Sequence, residues 1–191
     1  MEFGEVVEMV VERTKRADKI SEIRGGINAA ISLFASANFS HDRTEIENFV
    51  ISSSLYAQSF DITDTPFANF KVIDYIRPTG YRKNLNPRDP KKIFQGGCEV
   101  LDTYYRSGDN IIFKLSRLQS ELKIGYFHYH PILVADDDED WMLDELTEAI
   151  VLHARGKIMR SVGEDTEANN NTKEALFLWE AFKSASSEVQ T

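Results

Sequence analysis

Ile124-Gly125-Tyr126-Phe127-His128-Tyr129-His130-Pro131-Ile132-Leu133-Val134-Ala135-Asp136-Asp137-Asp138-Glu139-Asp140-Trp141-Met142 is where the chain changes its period. Up to His130 it is rich in β-branched and aromatic residues, as strands are. Beyond the acidic run, Met142, Leu146, Ile150, Ala154, Ile158 and Val162 recur at the spacing of one helix face. Acidic residues before a helix are favoured by its macrodipole. Gly163 stands where a C-cap belongs. The stretch closes a β region and opens a helical one.

Upstream, residues 46–51, 70–76 and 111–115 read as further strands. Residues 106–110, Arg-Ser-Gly-Asp-Asn, read as a hairpin turn, and residues 84–90 as a loop. All five prolines fall between residues 66 and 131, so the flanks are free to be helical. Phe3, Val6, Val7, Val10 and Val11 form one helical stripe, broken by the charged run 15–19. A second helix is expected from Ser21, an N-cap type, to about Asn38, with Ile20, Ile23, Ile27, Ile31 and Phe34 on one side. Gly25 and Gly26 cost that helix ~1 kcal/mol each, and they permit close approach of another helix or subunit. A last helix carries Ala175, Leu178, Trp179 and Phe182, with Phe177 offset from that side, before a polar tail.

The expected fold is α+β. Two N-terminal and two C-terminal helices, each with one apolar face, form an antiparallel bundle from residues 1–44 and 133–191. Residues 45–132 form an inserted small antiparallel β domain.

Composition narrows the function. Apolar residues make up 42% of the 191 and charged residues 28%, the balance of a folded water-exposed protein. The longest apolar runs, such as residues 131–135, are far too short for a membrane span. The acidic start is unlike a signal peptide, so a reduced, cytoplasmic place of synthesis is expected. Cys98 is the single cysteine, which excludes an intramolecular disulfide and any multi-cysteine metal site. Cys98 has no Cys-x-x-Cys partner and reads as an inert thiol. The net charge of −9 lies wholly in residues 136–191. Residues 71–92 instead carry Lys71, Arg77, Arg82, Lys83, Arg88, Lys91 and Lys92 against only Asp74 and Asp89, a confined basic segment.

Candidate chemistry is sparse. His128 and His130 would share one face of a strand and could bind a metal, but no third ligand is identifiable. The acidic run lacks the alternate spacing and glycine turn of a calcium loop. Gly96-Gly97 is not followed by Lys-Ser/Thr, so no phosphate-binding glycine loop is present. Neither an enzyme nor a cofactor is indicated. The basic segment, with Tyr75, Tyr81 and Phe94 as stacking groups, could form a nucleic-acid-binding module. A metal-dependent hydrolase built on His128 and His130 is a weaker alternative.

Three stretches carry a resemblance. Residues 10–24 include Arg13-Thr14-Lys15-Arg16-Ala17-Asp18-Lys19 ahead of Glu22-Ile23. Residues 135–145 run Ala-Asp-Asp-Asp-Glu-Asp-Trp-Met-Leu-Asp-Glu, and residues 162–168 run Val-Gly-Glu-Asp-Thr-Glu-Ala. Together they resemble head–tail adaptor (connector or neck) proteins of tailed bacteriophages, with Lys15 where those carry glycine and Ala17 where they carry proline. Residues 45–132 carry no such likeness. The resemblance implies a structural virion protein, made in the host cytoplasm and located in the neck. It would bind below the portal protein as a ring, usually of twelve copies, extend the DNA channel and offer a platform to tail or nozzle proteins. Packaged DNA would pass without sequence-specific binding, and no membrane is involved. Phe177, Trp179, Phe182 and Val189 would meet the portal. Arg82, Lys83, Arg88, Lys91 and Lys92, with Asp136, Asp137 and Asp138, would make contacts between neighbouring copies or with the tail. The uneven charge suits such heterologous pairing.

Overall fold

Helix α1 (Phe3–Thr14) forms because Phe3, Val6, Val7 and Val10 make one buried stripe on an otherwise charged segment. Glu2 and Glu5 close a capping box at its start, and Lys15 ends it in the left-handed region at φ 55°. A 3-10 turn (Ala17–Lys19) leads into α2 (Ile20–Phe34), which buries Ile23, Ile27, Ala30, Ile31 and Phe34. Ile20, expected in that stripe, is instead exposed at the first position of the helix. In the computed structural model, residues 1–51, 58–64, 66–89 and 101–188 are described. They divide into two compact units, residues 1–41 with 130–191, and residues 42–129.

The first unit is helical. The single helix expected over residues 142–162 is two, α3 (Trp141–Glu145) and α4 (Thr147–Ser161). The break falls at Leu146, φ −117° and ψ 18°. There the Thr147 hydroxyl donates to the Leu143 carbonyl, a side-chain competitor that bends helices. Gly163, at φ 87°, turns the chain into α5 (Asp165–Glu188).

The expected antiparallel bundle with an inserted small antiparallel β domain does not describe the arrangement. Among the described residues there are five α-helices, and they are not equivalent. Residues 149–154 of α4 are buried without a gap, so α4 has no solvent face over that stretch. It is the centre against which α1, α2, α3 and α5 all pack. The bundle expectation gave each helix a single apolar face, and Val151, Leu152 and His153 violate it. The α+β class stands.

Among its described residues, the second unit holds seven strands in two sheets. Strands β1 (Arg43–Val50), β7 (Glu121–His128) and β3 (Phe70–Pro78) pair antiparallel in the order β1-β7-β3. The other sheet runs β2-β6-β5-β4, with β2 (Gln58–Asp61), β6 (Asn110–Lys114), β5 (Thr103–Ser107) and the two-residue β4 (Asn86–Pro87). The β4–β5 pair is parallel, so this part is not purely antiparallel. Both sheets contribute to one core, with Ile76, Leu122, Ile124 and Tyr126 from the first and Phe60, Ile111, Phe113 and Tyr104 from the second. Phe60 and Phe67 stack at 5.2 Å, and Phe49 and Tyr126 pack against this pair.

Candidate functional site

The segment Leu133–Asp138 has no regular structure, yet it is tied down at nearly every position. Asn28 on α2 bonds Leu133 twice, accepting from its N–H and donating to its carbonyl, both at 2.9 Å. One turn earlier, Arg24 donates to the Val134 carbonyl at 2.8 Å and pairs with Asp136. The free N–H groups at the start of α1 are used as well. Phe3 donates to the Asp138 carbonyl and Gly4 to that of Asp136, both at 2.9 Å. The Asp138 carboxylate accepts from the Val134 and Ala135 N–H groups, which hold it below the usual carboxylate range. Asp140 caps α3 through the Met142 N–H. Its other oxygen meets His130 Nδ1 at 2.5 Å, and both side chains are almost fully buried.

The acidic run is thus mainly an internal joint between α1, α2 and α3. Of the three expected partner-facing acids, Asp136 and Asp138 are engaged within the chain, and Asp137 is exposed. Arg24 and Asn28 were missed by sequence reasoning. Their one-turn spacing on a polar helix face was the available signal, but nothing local named their target.

The aromatic residues of α5 separate into two sets. Trp179 stacks on Phe34 at 5.8 Å, and Phe182 packs on Phe39 and Trp141. Both belong to the helical core's margin. Phe177 is 71% exposed, with Leu176 also exposed beside it. Val189 lies outside the described residues.

His128 and His130 do not share a strand face. Strand β7 ends at His128, which lies 3.3 Å from the Thr44 hydroxyl, and His130 belongs to the other unit with Asp140 as its partner. Among the described residues, no group of three or more His, Cys, Asp or Glu side chains could hold a metal ion.

The basic segment is spread over distinct environments. Arg77 lies 5.8 Å from the Tyr75 ring centre, with Arg43 at 5.3 Å. Tyr75 is buried and donates to Glu45, so it is not a platform for base stacking. Burial pushes the Lys71 ammonium down from its ordinary pKa. Arg88 is exposed, and its backbone N–H donates to the Tyr104 carbonyl, holding β4 beside β5. Arg82 and Lys83 line a pocket with Tyr81 and Arg117. Lys91, Lys92, Phe94, the pair Gly96-Gly97 and Cys98 lie outside the described residues.

No protein-family model matches this chain, and no curated protein matches it. No helix among the described residues is long and apolar enough to cross a membrane.

Proposed function

We propose that this chain is a head–tail adaptor of a tailed bacteriophage, a structural protein of the virion neck without catalytic activity. It adds to the portal protein as a ring with neighbouring copies, prolongs the DNA channel and receives tail or nozzle proteins. One observation carries the reading. The three stretches that resemble adaptors are the joints of the helical unit. Residues 10–24 join α1 to α2, residues 135–145 lock onto both helices and cap α3, and residues 162–168 turn α4 into α5. Arg24, from the first stretch, grips Asp136 in the second.

The exposed Phe177 and Leu176 give the portal-facing surface its apolar anchor. Trp179 and Phe182 act behind it by fixing α5. Co-sedimentation with portal rings tests this. The wild-type chain should pellet with the ring, and Phe177→Glu should stay in the supernatant while keeping its unfolding midpoint. Equal pelleting of the two proteins removes Phe177 from the interface, and no pelleting of either contradicts the adaptor reading.

A further inference from the structure

The turn that follows β3 and the loop that follows β6 build a pocket of about 410 Å³. It is lined by Gly80, Tyr81, Arg82 and Lys83 on one side and by Asp102, Ser116 and Arg117 on the other. The frame is closed by hydrogen bonds. The Ser116 N–H and hydroxyl both donate to the Asp102 carboxylate, at 2.9 and 2.7 Å. The Tyr81 hydroxyl accepts from the Arg117 N–H at 2.9 Å and lies 3.2 Å from the Ser116 hydroxyl, to which it donates. Gly80, at φ 82°, makes the turn that brings Tyr81 round to this loop.

Within that frame the charges do not balance. Arg82, Lys83 and Arg117 form no ion pair with any described residue. Asp102 is the one acid among the described lining residues, and it accepts the Ser116 N–H and hydroxyl. Three cations against one carboxylate leave the described lining with an excess of two positive charges, which an anion entering the pocket would neutralise. The chain's acidic run is a poor source for that anion, since Asp136 and Asp138 are spent on its own joint. A carboxylate is also a poor match, because one guanidinium satisfies both its oxygens and leaves the other two cations uncompensated. A phosphate presents several oxygens and a charge spread in three dimensions. Two guanidinium forks and one ammonium can divide these between them.

We propose that this pocket is a phosphate-binding site. Its ligand is a phosphate group, from a nucleic-acid backbone or free in solution, held by Arg82, Lys83 and Arg117. The site does not depend on the adaptor reading and can fail or stand without it.

The test is amide NMR of the full chain, titrated separately with inorganic phosphate and with a short DNA duplex at ~0.1 M salt, where distant charges are screened. The expected result is saturable shifts centred on Gly80–Lys83 and Ser116–Arg117. Arg82→Gln, Lys83→Gln and Arg117→Gln should each weaken binding by ~3–10-fold, a discount for exposed cations on the usual worth of a charged hydrogen bond. Arg88→Gln, outside the pocket, should leave it unchanged. If the duplex shifts the same amides, the phosphate is that of the DNA backbone, and each lost cation should lower the salt slope by ~1. If inorganic phosphate alone does so, the site serves the free anion. Absent or unsaturable shifts with both ligands would overturn the proposal, as would Gln variants that bind as the wild type does. Portal co-sedimentation reads the adaptor function independently of either result.

Discussion

Arg24 shows how much of this chain's helical unit rests on one side chain. It pairs with Asp136, donates to the Val134 carbonyl and lies 5.2 Å from the Phe3 ring centre, so it holds α1, α2 and the acidic segment together. Arg24→Met keeps most of the apolar stem and removes the charge and donors. It should cost about 1–2 kcal/mol, at the low end for charged hydrogen bonds because the site is part-exposed. Urea unfolding of the full chain measures it. His153 carries a second expectation. It is buried beside Phe34, and burial, helped by the charges of Lys157 and Arg160, pushes its pKa below the ordinary 6.5. The Gly26 backbone nearby opposes that shift without reversing it. The unfolded chain therefore takes up a proton below about pH 6.5 that the folded chain does not, and stability falls as pH drops through that value. Glu148 and Asp138, whose pKa values are also lowered, lose their contributions in a separate window, below about pH 4.5. The urea midpoint should fall between pH 7 and 5.5 in the wild type and fall less in His153→Gln. Equal slopes would remove His153 from the account.

Among the elements, the glycine pair in α2 divides cleanly. A Cβ on Gly25 meets nothing within 4 Å, whereas one on Gly26 sits 3.3 Å from both the Cα and Cβ of Ala154. Gly25→Ala should thus stabilise by about 0.5–1 kcal/mol through helix propensity. Gly26→Val should destabilise by about 1–3 kcal/mol by prising α2 from α4. Thermal unfolding of the two variants should give shifts of opposite sign. The sequence foretold close approach at this pair but not which glycine makes it, since the partner Ala154 is more than 120 residues away. The same limit explains the elements that were missed. Strands β1, β3, β6 and β7 were legible as runs of Ile, Val, Phe and Tyr. Strands β2 and β5 were not, because Gln58, Ser59, Arg106 and Ser107 give them no apolar alternation, and the pairing with β6 makes them strands. The break at Leu146 was hidden because its apolar residue keeps the helical stripe in phase across it. The pocket was half legible. Arg82 and Lys83 stood out in the basic segment, while Arg117 reaches them only through the sheet.

At the scale of the whole molecule, α5 has a packed side that stabilises the helical unit and an exposed side that the proposed assembly would use. Trp179, stacked on Phe34, and Phe177, turned outward, sit two residues apart on α5 and should behave oppositely. Trp179→Ala should destabilise the chain by about 2–4 kcal/mol. Phe177→Ala should stay within about 0.5 kcal/mol of the wild type and still lose affinity for the portal. The central claim is that the chain adds to a portal ring, copy for copy. Light scattering of the purified chain, of the portal ring of the same particle and of their mixture tests it most directly. The expected result is a complex heavier than the ring by one chain per portal subunit. A ring whose mass is unchanged by excess chain would contradict it.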